Sequence, residues 1–162
     1  MMKQPLTNAR LLLAVTIAFV LTILPLPAII AGFRPQWVLL IVLYIQFFLP
    51  HYFRVTWLFL LGLCLDVLLS TVIGEHAFAL LLTSWFAAGK TRRFAFFSTL
   101  QQMILIIVFC FIYQFVIYLI DASQGYNNGI LCVAGTAFIS MLFWPWVKWM
   151  ADSSLRGFMV RS

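Results

Sequence analysis

Charge is what this sequence has least of. Its 162 residues include four Asp or Glu and ten Lys or Arg, 9% in all, where a soluble domain carries about a quarter. That shortage excludes an ordinary water-soluble fold. Cysteine is nearly as scarce: Cys64, Cys110 and Cys132 stand alone in apolar runs, with no C-x-x-C and no histidine at ligand spacing, so neither a disulfide framework nor a zinc site is on offer. All three read as small buried hydrophobes. The two histidines, His51 and His76, are lone loop residues beside the ends of apolar runs, too few to build a metal centre. Also missing are a G-x-S-x-G, an H-E-x-x-H and a glycine-rich phosphate loop, together with any low-complexity tract or internal repeat. Nothing supports catalysis or a bound cofactor.

What fills the chain is hydrophobic: 65% of residues, with a mean hydropathy of +1.09. Its solvent is a bilayer. Against a hydrocarbon core of about 30 Å and a rise of about 1.5 Å per residue, six runs are candidate spans. They are Leu11 to Leu24, with a possible extension to Ile30, Trp37 to Leu49, Trp57 to Ile73, Ala77 to Gly89, Leu100 to Ile120 and Gly129 to Met150. The expected fold is an all-α integral membrane protein of about six transmembrane helices, residues 1–162 forming one polytopic domain. The second and fourth runs reach only about 20 Å, which leaves a five-span arrangement open. The first run has the length of a signal-peptide core, but further spans follow it and we read it as a retained anchor. Pro25, Pro27, Pro35 and Pro50 stand at or just past run ends, where a missing N–H and a fixed φ stop a helix. Pro145 lies inside the last run, between Trp144 and Trp146, and is expected to kink it.

The placement of the few charges sets the orientation. With a cytoplasmic N-terminus, Lys3, Arg10, Arg54, Lys90, Arg92, Arg93, Lys148, Arg156 and Arg161 all fall inside, and Arg34 alone falls outside. The formal net charge of +6 then expresses topology and contact with anionic lipid heads, not affinity for nucleic acid. An even number of spans follows from both ends lying inside.

Polar patterning on the helices gives the candidate functional residues. Gly62, Asp66 and Ser70 recur at i, i+4, i+8, a small, acidic, small face suited to close helix packing. Asp66 falls close to the bilayer centre on this reading, where a carboxylate costs roughly 2.5–3.5 kcal/mol, so it is expected to face the bundle interior. No lysine or arginine lies at that depth, so Asp66 is expected to be largely protonated or hydrogen-bonded to hydroxyl, amide or backbone groups. On the same reading Asp66→Asn keeps the hydrogen-bonding shape and is tolerated, whereas Asp66→Leu is not. Glu75, nine residues on, is placed on the opposite face, too far from Asp66 for a catalytic dyad. Gln114, Tyr118 and Asp121 form a second stripe, which either holds the bundle together or meets a substrate or partner. Ala14 and Ala18 form a further small-residue pair. Trp37, Trp57, Trp144, Trp146 and Trp149 read as interfacial anchors. Arg34, held extended by Pro35, offers its planar fork to lipid phosphate or to a partner carboxylate.

Four stretches carry a resemblance to a known family: "FRPQWVLLIVLYIQFFLPH" from Phe33 to His51, the G-x-x-x-D of Gly62 and Asp66 followed by Gly74, the basic loop after the fourth run, and "WPW" from Trp144 to Trp146. Across nearly its whole length the chain resembles the rod shape-determining protein MreD family, in its proteobacterial form. Where that family often has a second glycine between the aspartate and the position of Gly74, this sequence has Ser70. The resemblance implies a non-enzymatic protein of the bacterial inner membrane that works in cell elongation with MreC and, indirectly, with MreB, RodA and a class B penicillin-binding protein. It also implies a fold like the substrate-binding subunits of energy-coupling-factor transporters. A small-molecule- or lipid-binding subunit of a vitamin-type transporter is the alternative function.

The charge pattern makes a direct prediction. Cysteines placed at Thr91 and Ser162 in a cysteine-free background are expected to resist an impermeant thiol reagent added outside intact spheroplasts. Labelling of either from outside reverses the topology.

Overall fold

The computed structural model describes residues 4–24, 34–125 and 130–153, with only the backbone described for 4–9, 92 and 130–132. Pro25, Pro27, Ile30, Phe33, Gly129, Lys3, Arg156 and Arg161, and the side chains of Arg92 and Cys132, therefore lie outside the described residues.

Six long helices and one single turn run in chain order: α1 (Gln4–Ile23), α2 (Trp37–Phe48), α3 (Val55–Leu69), α4 (Glu75–Ala88), α5 (Thr91–Phe94), α6 (Thr99–Ser123) and α7 (Ile130–Ala151). There is no strand among the described residues. Sequence punctuation explains most of the boundaries. Pro50 opens a 3-10 turn, Pro50–Tyr52, directly after α2, because its ring cannot continue the helix. Ser98 and Gln101 form a reciprocal capping box that starts α6 by satisfying two backbone N–H groups. At 25 residues α6 is long and apolar enough to cross a membrane, and it is the only helix among the described residues to be so.

α2 lies at the centre. Its sequence, WVLLIVLYIQFF, is apolar all round, and a helix of that kind must be enclosed on every side. Eight of its twelve residues are buried accordingly, against α1, α4, α5 and α7. Two packed pairs, α3/α4 and α6/α7, complete the wall. One end of the bundle gathers Thr22, Gln36, Leu69, His76 and Asp121 around a common cavity. The opposite end carries most of the described cations. Lys148 there donates to the buried Gln102 (2.9 Å), whose own amide donates to the carbonyls of Phe94 and Phe97 (3.3 and 3.0 Å). Phe94 is thereby seated on Phe47, stacked at 3.8 Å, with Trp144 edge-on at 5.8 Å.

Outward faces are apolar. Leu12, Leu13, Trp57, Phe78, Trp85, Ile104 and Trp149 are all exposed, a surface suited to lipid and unsuited to water.

Three expectations are corrected. Trp144 is not an interfacial anchor, because it is fully buried against Phe94, and Trp37 is half-buried against Phe143 and Trp146. Cys64 is not buried; it sits on the exposed side of α3. The third helix stops at Leu69 and not at Ile73, because Ser70 turns left-handed (φ 53°) and closes it.

α3 and α4 approach each other closely at Gly62. A Cβ on Gly62 would lie 2.2 Å from Ala77 Cα, so only glycine admits the second backbone. Gly62→Val is expected to lose on the order of 3 kcal/mol or to fail to fold, the upper range of overpacking, since backbone and not a flexible side chain stands in the way. Denaturant or thermal unfolding in detergent measures it, and wild-type stability would show that the hairpin is looser than the geometry requires.

Candidate functional site

Asp66 is not in the middle of its helix. It lies in the last turn of α3, and from there it builds both sides of the α3/α4 turn. Its backbone carbonyl accepts the Thr71 N–H (3.1 Å) while Ser70 N–H reaches Val67 O (3.4 Å), the paired bonds that end a helix through a left-handed residue. Its carboxylate then starts the next helix. Oδ2 accepts the Gly74 N–H at 2.7 Å and Oδ1 the His76 N–H at 2.8 Å, two of the N–H groups that the first turn of α4 leaves without intrahelical partners. A negative charge at that position also meets the positive end of the α4 dipole. The His76 ring adds a third contact, Nδ1 to Oδ1 at 3.0 Å, and Thr71 Oγ1 lies 3.3 Å from the same nitrogen. Asp66 is 1% exposed, so these bonds replace its hydration completely.

His76 is thus no lone loop residue. It is the second residue of α4, buried, and its ring stands edge-on to Tyr113 of α6, centroids 6.2 Å apart. Glu75 is not on the far side of the same helix as Asp66 either. The turn between them brings it, buried at the start of α4, within electrostatic reach of Asp66 and of Asp121 on α6. Ser70 leaves the Gly62/Asp66 stripe: as the left-handed cap it is exposed, in a conformation that glycine takes without steric cost. Gly74 caps the other side of the turn at φ 99°.

His76 and Tyr113 also form the floor of a cavity of about 310 Å³ at this end of the bundle. The stripe Gln114, Tyr118 and Asp121 lines it from α6, and Arg34, Pro35, Gln36 and Trp37 from the approach to α2. Gln36 is the residue that sequence patterning missed. Its N–H donates to Ser140 Oγ (3.0 Å) and its amide to Gln114 Oε1 (2.8 Å), which ties α2 to α6 and α7. Two other buried amides escaped notice: Gln102, described above, and Gln46, which exchanges hydrogen bonds with Ser84 of α4 (2.8 and 2.9 Å). Gln46 is an isolated polar residue in an apolar run, and Gln36 and Gln102 stand at the edges of such runs, which is the only signal the sequence gives. Gly62 and Asp66 meet α4, whereas Trp144 and Trp146 lie towards the other end, so the sequence-selected residues form two groups. Pro145 is inside α7, which continues past it to Ala151. No group of three or more metal-ligating side chains occurs among the described residues.

The arrangement is that of an all-helical membrane protein whose buried polar groups serve as cross-links between helices. The description "rod shape-determining protein MreD" belongs to the family whose pattern residues 3–152 match, and this chain is a member of that family. A relative in Haemophilus influenzae, rod shape-determining protein MreD, is 33% identical over 131 residues, covering 81% of each chain. No solved structure matches the chain.

The geometry revises what asparagine is expected to do at position 66. Asparagine has one acceptor oxygen and would turn an NH2 towards one of two N–H donors, so Asp66→Asn should lose about 1–3 kcal/mol, with Asp66→Leu losing at least as much. Ser70→Gly should gain about 0.5–1 kcal/mol, because a non-glycine residue in the left-handed region costs about 1–2 kcal/mol and glycine's greater freedom when unfolded gives back part of it. Unfolding midpoints of the purified variants test both. An Asp66→Asn protein as stable as wild type would show that the carboxylate is not the cap.

Proposed function

We propose that this protein is a non-enzymatic, multi-pass component of the bacterial cell-elongation machinery, which meets MreC through helix faces within the inner membrane. Through MreC it would be linked indirectly to MreB, RodA and a class B penicillin-binding protein. Family membership supports the shape-determining role. The orientation with both termini cytoplasmic draws support from Arg10, Lys90 and Lys148 lying away from the end that holds Arg34, Glu75 and Asp121.

One observation carries the contact. Phe78 and Trp85, seven residues apart on α4, are exposed on one face, and α4 is the helix that Asp66 and Gly62 hold rigidly. Aromatic side chains on a pre-ordered surface bind at small entropic cost and are the residues that dominate interfaces. With so little of the chain in connecting segments, an extended helix face is the surface available to a partner.

The double variant Phe78→Ala, Trp85→Ala should insert and accumulate normally, because neither side chain is buried. It should lower MreC recovery in mild detergent about tenfold, a loss of about 1.4 kcal/mol, and round up the cells. Ile104→Ala with Val108→Ala, exposed on α6, serves as the control and should do neither. Undiminished recovery with the α4 variant would rule out this face, and failure of the wild-type protein to recover MreC would rule out the proposed contact.

A further inference from the structure

The lipid-facing side of α6 fixes a depth scale for the whole bundle. Leu100, Ile104, Val108, Phe111, Phe115 and Leu119 are its exposed large apolar residues, and a spacing of three or four keeps them on one side of the helix. From first to last the stripe is about 28 Å long, against about 30 Å for a hydrocarbon core. Leu100 therefore stands at a boundary of the core, and the segment that leads into α6 lies at headgroup depth.

That segment has two faces. Arg93 N–H donates to the Lys90 carbonyl and Phe96 N–H to the Arg93 carbonyl, both at 3.1 Å, so residues 90, 93 and 96 recur one turn apart on one side. The other side is anchored: Phe94 is fully buried between Phe47 and Trp144, and Gln102 holds the carbonyls of Phe94 and Phe97. Lys90, Arg93 and Phe96 are thus presented outwards on a fixed turn, Phe96 being 89% exposed. Neither cation has an ion-pair partner among the described residues, whereas Lys148 is committed to Gln102. Asp152 is the one acidic residue at this end, and it accepts from Tyr44 (2.6 Å). Two like charges one turn apart repel each other, and an anion between them removes the repulsion. Beside them, a phenylalanine this exposed is costly in water and at home against acyl chains.

We propose that this turn binds one anionic phospholipid, its phosphate held by the Lys90 ammonium and the Arg93 guanidinium and its acyl chains against Phe96 and Leu100. A free phosphate would satisfy the cations alone. An acidic peptide would do the same and leave Phe96, and the apolar stripe that continues from it down α6, to be covered by something else. A lipid takes both, and its two parts come in the order and at the depth that the turn and the stripe present them. A zwitterionic head brings an amine beside two cations and gains less. The site does not involve the aromatic face of α4 and is independent of any contact made there.

Native mass spectrometry of the full chain, delipidated in detergent and titrated with dioleoylphosphatidylglycerol, tests the site. One lipid should bind at least about tenfold more tightly than dioleoylphosphatidylcholine, and free glycerol 3-phosphate should bind more weakly than the lipid by at least as much. Lys90→Gln with Arg93→Gln should cut phosphatidylglycerol retention at least about tenfold, since each cation near an anionic headgroup contributes a factor of about five. Arg34→Gln with Arg54→Gln removes the same net charge from two other exposed positions and should leave retention within about twofold of wild type. Helix content and monodispersity confirm that both double variants fold. Equal binding of the two lipids by the wild-type protein overturns the assignment, and is the result expected of a turn reserved for an acidic protein partner. Glycerol 3-phosphate binding as tight as the lipid makes the turn a soluble-anion site. An equal loss in the two double variants shows that net charge, and not this turn, sets retention, and overturns the site as well.

Discussion

The Asp66 side chain and backbone together make the junction on which the α3/α4 hairpin depends. The carbonyl ends one helix by accepting from Thr71, and the carboxylate begins the next by accepting from Gly74 and His76, so one residue sets where both helices stop and start. The close approach at Gly62 and Ala77 follows from that register. Shifting the turn by a residue would bring a different side chain against a backbone that has room only for hydrogen. His76, fixed by the same carboxylate, then carries the position of the hairpin across to Tyr113 and α6.

A second constraint comes from α2. At twelve residues it is about 18 Å long, shorter than a hydrocarbon core, and it is enclosed by other helices and not by lipid. Polar cross-links hold it at successive levels: Gln36 to Gln114 and Ser140, Gln46 to Ser84, and Tyr44 to Asp152 at 2.6 Å. In an apolar solvent the hydrophobic effect does not drive helices together, so packing and interhelical hydrogen bonds decide which arrangement is stable. The bundle uses both, with glycine at its tightest contact and amides where α2 meets its neighbours.

This construction bears on function. The polar groups inside are mostly committed to one another, and no group of three or more metal-ligating side chains occurs among the described residues. The surface proposed for recognition is the exposed aromatic face of α4. A member of the MreD family built this way presents helix faces, and its interactions depend on how rigidly those faces are held.

Much was legible before any coordinates. Apolar runs marked most of the helices to within a few residues, with α1 starting at Gln4 and not at Leu11, and the stop of α2 before Pro50 was legible because it is a local steric event. The pairing of small and acidic residues at Gly62 and Asp66 marked a packing face, because a four-residue spacing lies on one side of a helix. The sequence could not show that Asp66 sits at a helix end and not at its middle, because Leu69 to Ile73 is as apolar as a span and the break there is a left-handed serine. Nor could it show that His76 returns to Asp66 across the turn, that Gln36 reaches α6 and α7, or that Trp144 is buried while its neighbour Trp146 is exposed. Hydrophobicity fixes which segments are helices, since it depends on each residue's own transfer energy. Which face meets which helix depends on contacts between residues as far as 108 positions apart, and those exist only once the bundle has closed.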